Sequence, residues 1–151
     1  MVKIEKAKFK DLIIKIPNFM NLKMLYSSGL LKFKNIQRFL KLLFEKPKRR
    51  MFLFKILKEK KTVGFMDLEE KERDNFEIGI LIFRKYQNRG LAKESGKELE
   101  KLIREMKIKK VLATIYNLNT PAIQLVKSFG FKEINKTKKE TFFERKIKWQ
   151  E

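Results

Sequence analysis

The stretch with the clearest chemical potential runs from an apolar segment, Ile78-Gly79-Ile80-Leu81-Ile82-Phe83, through a polar turn, Arg84-Lys85-Tyr86-Gln87-Asn88-Arg89, to Gly90 and a helical pattern. The first N–H groups of a helix have no intrahelical partner, and the helix dipole adds partial positive charge there. Such an end is a ready anion site. Gly90 has no Cβ and lets a ligand approach the backbone, while Lys85, Arg89 and Lys93 add formal charge nearby. A pyrophosphate is the natural guest. The plain alternative is an ordinary strand–helix junction that contains a glycine.

Several other chemistries are excluded. The 151 residues include no cysteine and no histidine. That removes Cys nucleophiles, Ser-His triads, His bases and Cys/His zinc sites from this chain. A phosphate-binding P-loop needs four residues between its glycines and then Lys-Ser/Thr. Five residues separate Gly90 from Gly96, and Glu98 follows Lys97. No G-x-G-x-x-G occurs either. No metal is expected.

The charge is lopsided, 38 Lys+Arg against 18 Asp+Glu, a net of +20. This favours phosphates, nucleic acid or anionic surfaces as partners. A Lys-, Ile-, Asn- and Phe-rich composition from an A+T-rich genome explains it equally well. The run Lys46-Pro47-Lys48-Arg49-Arg50 reads as a nucleic-acid patch or as a solvated loop. The N-terminal MVKIEKAKFKD lacks the apolar core of a signal peptide, and no stretch approaches the ~18 apolar residues of a membrane helix. A cytoplasmic protein without a membrane partner is expected.

The elements that must position the turn follow from periodicity. Val2 and Ile4 alternate with polar residues, as in a short strand. Residues 11–29 read as helical, with Pro17 breaking or starting a helix. Ile36, Phe39, Leu40, Leu43 and Phe44 share one helical face. Strand patterns follow at about 51–57, 62–68 and 76–83, with polar turns at 58–61 and 69–75. A helix is predicted over 91–106, with an inner stripe of Leu91, Ser95, Leu99, Leu102, Ile103 and Met106. A strand at 111–115 precedes a second helix, which Pro121 opens and Gly130 stops. Strands near 131–136 and 141–149 close the chain, Phe143, Ile147 and Trp149 sharing a face in the last. Alternating strands and helices imply a partly parallel sheet.

Gln87, Arg89, Gly90 and Ala92 fit the frame [Q/R]-x-x-G-x-[G/A], and Asn119 to Phe131 fits N-x-x-[S/A]…G-F. Together they resemble the two signatures of GNAT-type N-acetyltransferases. The predicted order of elements is similar to that fold over nearly the whole chain. The resemblance implies one α/β (α+β) domain over 1–151, the acyl-CoA N-acyltransferase fold. Its mixed sheet has six to seven strands, flanked by about four helices, and its central strands splay apart. The segment 35–45 with "RRMFLFKI", "TVGFMDL" and "FEIGI" looks most like the ribosomal-protein N-terminal acetyltransferase (RimJ/RimL-like) branch.

The resemblance also implies a site. Acetyl-CoA, the co-substrate, would lie between the fourth and fifth strands. Ile80, Leu81 and Ile82 would offer backbone groups, and Gln87, Asn88, Arg89, Gly90, Leu91 and Ala92 would hold the pyrophosphate. Asn119 would bind cofactor amides or a site water, with Lys127 near the other end of the cofactor. A neutral amine would attack the thioester directly, its carbonyl polarised by the N–H of Leu81 or Ile82. Glu77 is the candidate base, working through water, or else a surface carboxylate. Tyr116 is a candidate acid, or else a half-buried aromatic at a strand end. The pattern departs from many relatives at Val126, where they carry a tyrosine acid, and at Thr114, where some carry a glutamate. The acid is therefore unassigned.

The function implied is transfer of an acetyl group to a primary amine, either a protein N-terminus, as on a ribosomal protein, or a small amine. A polyamine acceptor stays open because Asp67, Glu69, Glu70, Glu72, Asp74 and Glu77 could make the mouth of the site acidic. From a different class, a basic RNA- or ribosome-associated binding module on the same scaffold, with little catalysis, stays open too. The expected state is a monomer or homodimer.

Overall fold

A computed structural model describes residues 1–7 and 49–149. The helical patterns expected at 11–29 and 35–45, and residues 46–48 of the basic run, lie outside the described residues. The described elements, in chain order, are β1 (Val2–Lys6), β2 (Met51–Lys58), β3 (Lys61–Glu72) and β4 (Asn75–Ile82). A 3-10 turn (Arg84–Tyr86) leads into α1 (Leu91–Glu105), followed by β5 (Lys110–Tyr116), α2 (Thr120–Ser128), β6 (Lys132–Lys136) and β7 (Glu140–Lys146).

The seven described strands form one mixed sheet in the order β1-β2-β3-β4-β5-β7-β6. Strand β4 pairs with β5 in parallel, across the α1 crossover, and every other pair is antiparallel. Alternation along the strands sorts side chains to two faces. Phe54, Ile56, Met66, Leu68, Ile78, Ala113 and Phe143 belong to one buried cluster with Leu91, Leu99 and Ile103 of α1. The stripe predicted for α1 holds. Leu91, Ser95, Leu99 and Ile103 are buried, with Gly96 beside them. Ser95 is fully buried, and its hydroxyl is satisfied by donating to the Leu91 carbonyl at 2.7 Å.

The ends of α2 also follow the sequence. Asn119 caps the start, its side-chain oxygen accepting from the Ala122 N–H at 3.3 Å, and Pro121 sits in the first turn. At the other end Gly130 has φ +78°, its N–H reaches the Lys127 carbonyl at 3.0 Å, and the Phe131 N–H reaches that of Val126 at 3.1 Å. That is the Schellman arrangement, which needs a residue comfortable at positive φ.

Three boundaries differ from expectation. The polar stretch 69–75 is not all turn. Strand β3 continues to Glu72 and β4 begins at Asn75. Charge pairing within and across the strands explains this. Arg50 grips Glu70 through two hydrogen bonds of 2.9 and 2.6 Å, and Lys71 reaches Glu69 at 2.8 Å and Glu77 at 3.0 Å. At the C-terminus β7 ends at Lys146, so Ile147 and Trp149 lie beyond the strand. The hairpin turn between β2 and β3 narrows to Glu59 and Lys60, both at positive φ, as a two-residue turn matched to strand twist requires.

Candidate active site

Strands β4 and β5 pair only over Asn75↔Lys110, Phe76↔Val111 and Glu77↔Leu112. Beyond that rung they part. Strand β4 stays with β3 up to Ile82↔Gly64, while β5 follows β7 to Tyr116↔Glu140. The fork opens into a cleft of about 500 Å³ walled by β4, β5, α1 and α2. Ile78, Ile80, Ile82, Ala113, Ile115 and Val126 are among its apolar walls, and Gln87, Asn88, Gly90, Leu91, Ala92 and Lys93 form one end.

The register decides which backbone groups face the fork. The Phe83 N–H donates to the Val63 carbonyl at 2.9 Å, continuing the register that sets Leu81 against Phe65. An antiparallel ladder bonds alternate residues. The odd-numbered positions of β4 therefore bond to β3, and Ile78, Ile80 and Ile82 turn their backbone groups toward the β5 side. A Cβ added to Gly64 would collide with the Leu81 carbonyl oxygen, which agrees. Leu81, expected among the backbone contacts, thus directs its backbone groups to β3; Ile80 and Ile82 carry the inward backbone.

The turn after β4 is built as an anion seat would need. Asn88 (φ +59°) and Gly90 (φ +72°) bend the chain into α1, and no side chain among the described residues caps the first amides of α1. A Cβ at Gly90 would meet no atom of the described residues within 4 Å, so among them glycine serves the backbone angle rather than a tight contact. The Gln87 side chain points back and donates from Nε2 to the Ile82 carbonyl at 3.0 Å. Arg89 leaves the cleft wall, its guanidinium 5.9 Å from the centre of the Tyr86 ring, while Lys93 stays on the wall.

Asn119 lines the cleft, with its oxygen engaged in capping α2. Lys127 is exposed and forms no part of the cleft wall. Val126 is a wall residue.

Glu77 occupies the last rung of the fork, on the sheet face opposite α1 and α2. It is 7% exposed. Thr114 Oγ1 donates to Glu77 Oε1 at 2.6 Å, and Lys71 Nζ lies 3.0 Å from Oε2. Burial pulls the Lys71 pKa down, but hydrogen bonds and charge from Glu69 and Glu77 outweigh it and hold the amine above its ordinary value. Tyr116 falls on the same face by alternation along β5, as does fully buried Asp67, whose carboxyl fills the space over Gly79. Lys71 was not foreseen. Its position opposite Glu77 is readable only once β3 is known to run through the polar stretch.

The Acetyltransferase (GNAT) domain family matches residues 24–132 of the chain. The chain belongs to this family. No curated protein matches it. Solved structures agree on the GNAT fold. A domain from Methanocaldococcus jannaschii is 22% identical, with a TM-score of 0.72 and coverage of 97% of this chain and 99% of that one. The ribosomal-protein-S18-alanine N-acetyltransferase of Escherichia coli is 16% identical, TM-score 0.69, covering 100% and 97%. The Campylobacter jejuni N-acetyltransferase PseH in complex with acetyl coenzyme A is 13% identical, TM-score 0.64, covering 98% and 100%. Among the described residues no helix is long and apolar enough to cross a membrane.

Proposed function

We propose that this chain works as one acetyl-CoA-dependent N-acetyltransferase domain acting on a primary amine by direct attack. The carrying observation is the fork, where a parallel ladder ends at Glu77↔Leu112 and opens into a cleft headed by the start of α1. The residues fit a pantetheine diphosphate. The amides of Leu91 and Ala92, with Gly90 and the charge of Lys93, suit the diphosphate. The inward backbone of Ile80 and Ile82 suits an extended chain of amides. Bound acetyl-CoA supplies the thioester carbonyl, and the Ile82 N–H is the donor we assign to its oxygen.

Glu77 faces the other side of the sheet, so the amine and the cofactor approach the fork from opposite faces. Held together there, the reactants gain from proximity. Glu77 takes the proton of the amine directly or through a water. Tyr116, on the same face, is the candidate that returns a proton to the leaving thiolate.

The acceptor we favour is the N-terminus of a ribosomal protein, in keeping with the RimJ/RimL-like sequence features and the fold likeness to the S18-alanine enzyme. The net charge of +20 suits an acceptor embedded in RNA. Thiol release from acetyl-CoA, measured with N-terminal peptides and with spermidine, tests this. Peptide turnover supports it, and spermidine turnover alone moves the assignment to small amines. No release, with nucleic-acid binding that falls steeply with salt, replaces the enzyme by a binding module.

A further inference from the structure

We propose that Thr114 is the pin of the fork: its hydroxyl ties β5 to Glu77 at the last rung and fixes both where the strands part and where the carboxylate points. The backbone ladder between β4 and β5 ends at Glu77↔Leu112, and Thr114 is the next β5 residue on that face. Its Oγ1 donates to Glu77 Oε1 at 2.6 Å, a bond between side chains that are both at least nine-tenths buried. Lys71 holds the second oxygen at 3.0 Å from β3. The carboxylate is therefore clamped from both neighbouring strands, and the Thr114 contact is the one that reaches it from β5.

A carboxylate with both oxygens held has little freedom to rotate, and a strand that leaves its partner needs a fixed point of departure. Thr114 supplies both through one hydroxyl. It is a positioning residue that acts through Glu77. The kinetic consequence rests on the acetyltransferase reading. The backbone consequence does not.

Hydrogen exchange on the full chain tests the backbone part. Thr114→Val keeps the β-branched shape and loses the donor. It should speed exchange in segments 78–82 and 112–116 and leave the β2–β3 hairpin unchanged, while Thr114→Ser should exchange like the parent. Unchanged exchange in Thr114→Val overturns the pin. Kinetics test the rest, with peptides bearing a free N-terminal alanine or serine, and spermidine, as acceptors. At saturating acetyl-CoA, Thr114→Val should lower kcat by about tenfold, and Thr114→Ser should recover most of the rate. In a Glu77→Gln background the Thr114→Val loss should vanish. Additive losses, or a Thr114→Val enzyme of normal kcat, overturn the role. A Glu77→Gln enzyme of normal kcat removes the base and with it the kinetic half, while exchange still decides the pin.

Discussion

Gln87 Nε2 donates to the Ile82 carbonyl at 3.0 Å, so the side chain of the turn is bonded to the end of the strand that the turn leaves. Gln87 is the first residue of the expected pyrophosphate frame, yet its side chain is spent on positioning. One partly buried hydrogen bond is worth about 0.5–1.5 kcal/mol net. Gln87→Ala should therefore weaken acetyl-CoA binding by between about twofold and tenfold through a loosened turn, and lower the melting temperature by a few degrees. Calorimetric titration checks the affinity. Unchanged affinity would mean that the turn holds its shape through its backbone alone.

Gly90 separates conformation from space. At φ +72°, with no described residue within 4 Å of an added Cβ, Gly90→Ala meets the left-handed backbone penalty, about 1–2 kcal/mol. Gly90→Asn should cost less, because asparagine tolerates that region. Gly90→Glu adds an anion at the mouth of the seat and should abolish thermal stabilisation by acetyl-CoA. Stabilisation retained in Gly90→Glu places the diphosphate elsewhere.

What the sequence made legible was local. The stripe of α1, the proline and glycine at the ends of α2, and the glycine entering α1 all stand within a few residues of what they control. The fork was expected only from family resemblance, because it depends on where a ladder between residues 75–77 and 110–112 stops. Thr114 could be read as a missing glutamate but not as the partner of Glu77, which is 37 positions away. Glu69, Glu70, Lys71 and Glu72 look like a turn in sequence because their partners, Arg50 and Glu77, come opposite them only in the sheet.

The Arg50–Glu70 pair gives an acid-side signature. The Arg50 hydrogen bonds hold Glu70 below its usual 4.5. A carboxylate with a depressed folded pKa contributes stability that is present above its unfolded value and lost as pH falls through the folded one. Urea midpoints of the parent should thus fall more steeply below about pH 4.5 than those of Glu70→Gln. Curves of equal slope would mean that the pair, exposed on its arginine side, is screened into irrelevance.

Gly96 and Phe129 set how closely α1 approaches the end of α2. A Cβ on Gly96 would overlap the Phe129 ring. Two effects oppose each other in Gly96→Ala. Alanine gains about 1 kcal/mol of helix propensity over glycine. Overpacking a fitted contact costs about 1–3 kcal/mol. The net should be a loss of up to about 2 kcal/mol, and Gly96→Val, with more bulk and a lower propensity than alanine, should lose more. Trimming the opposing ring by Phe129→Leu should make Gly96→Ala less harmful, a coupling of at least about 0.5 kcal/mol in a double-mutant cycle by urea denaturation. Because Phe129 also lines the cleft, Gly96→Ala should weaken acetyl-CoA binding even where the chain remains folded. A Gly96→Ala chain stabilised by the full propensity gain would show that the ring moves aside at no cost and that glycine is not what brings the helices together.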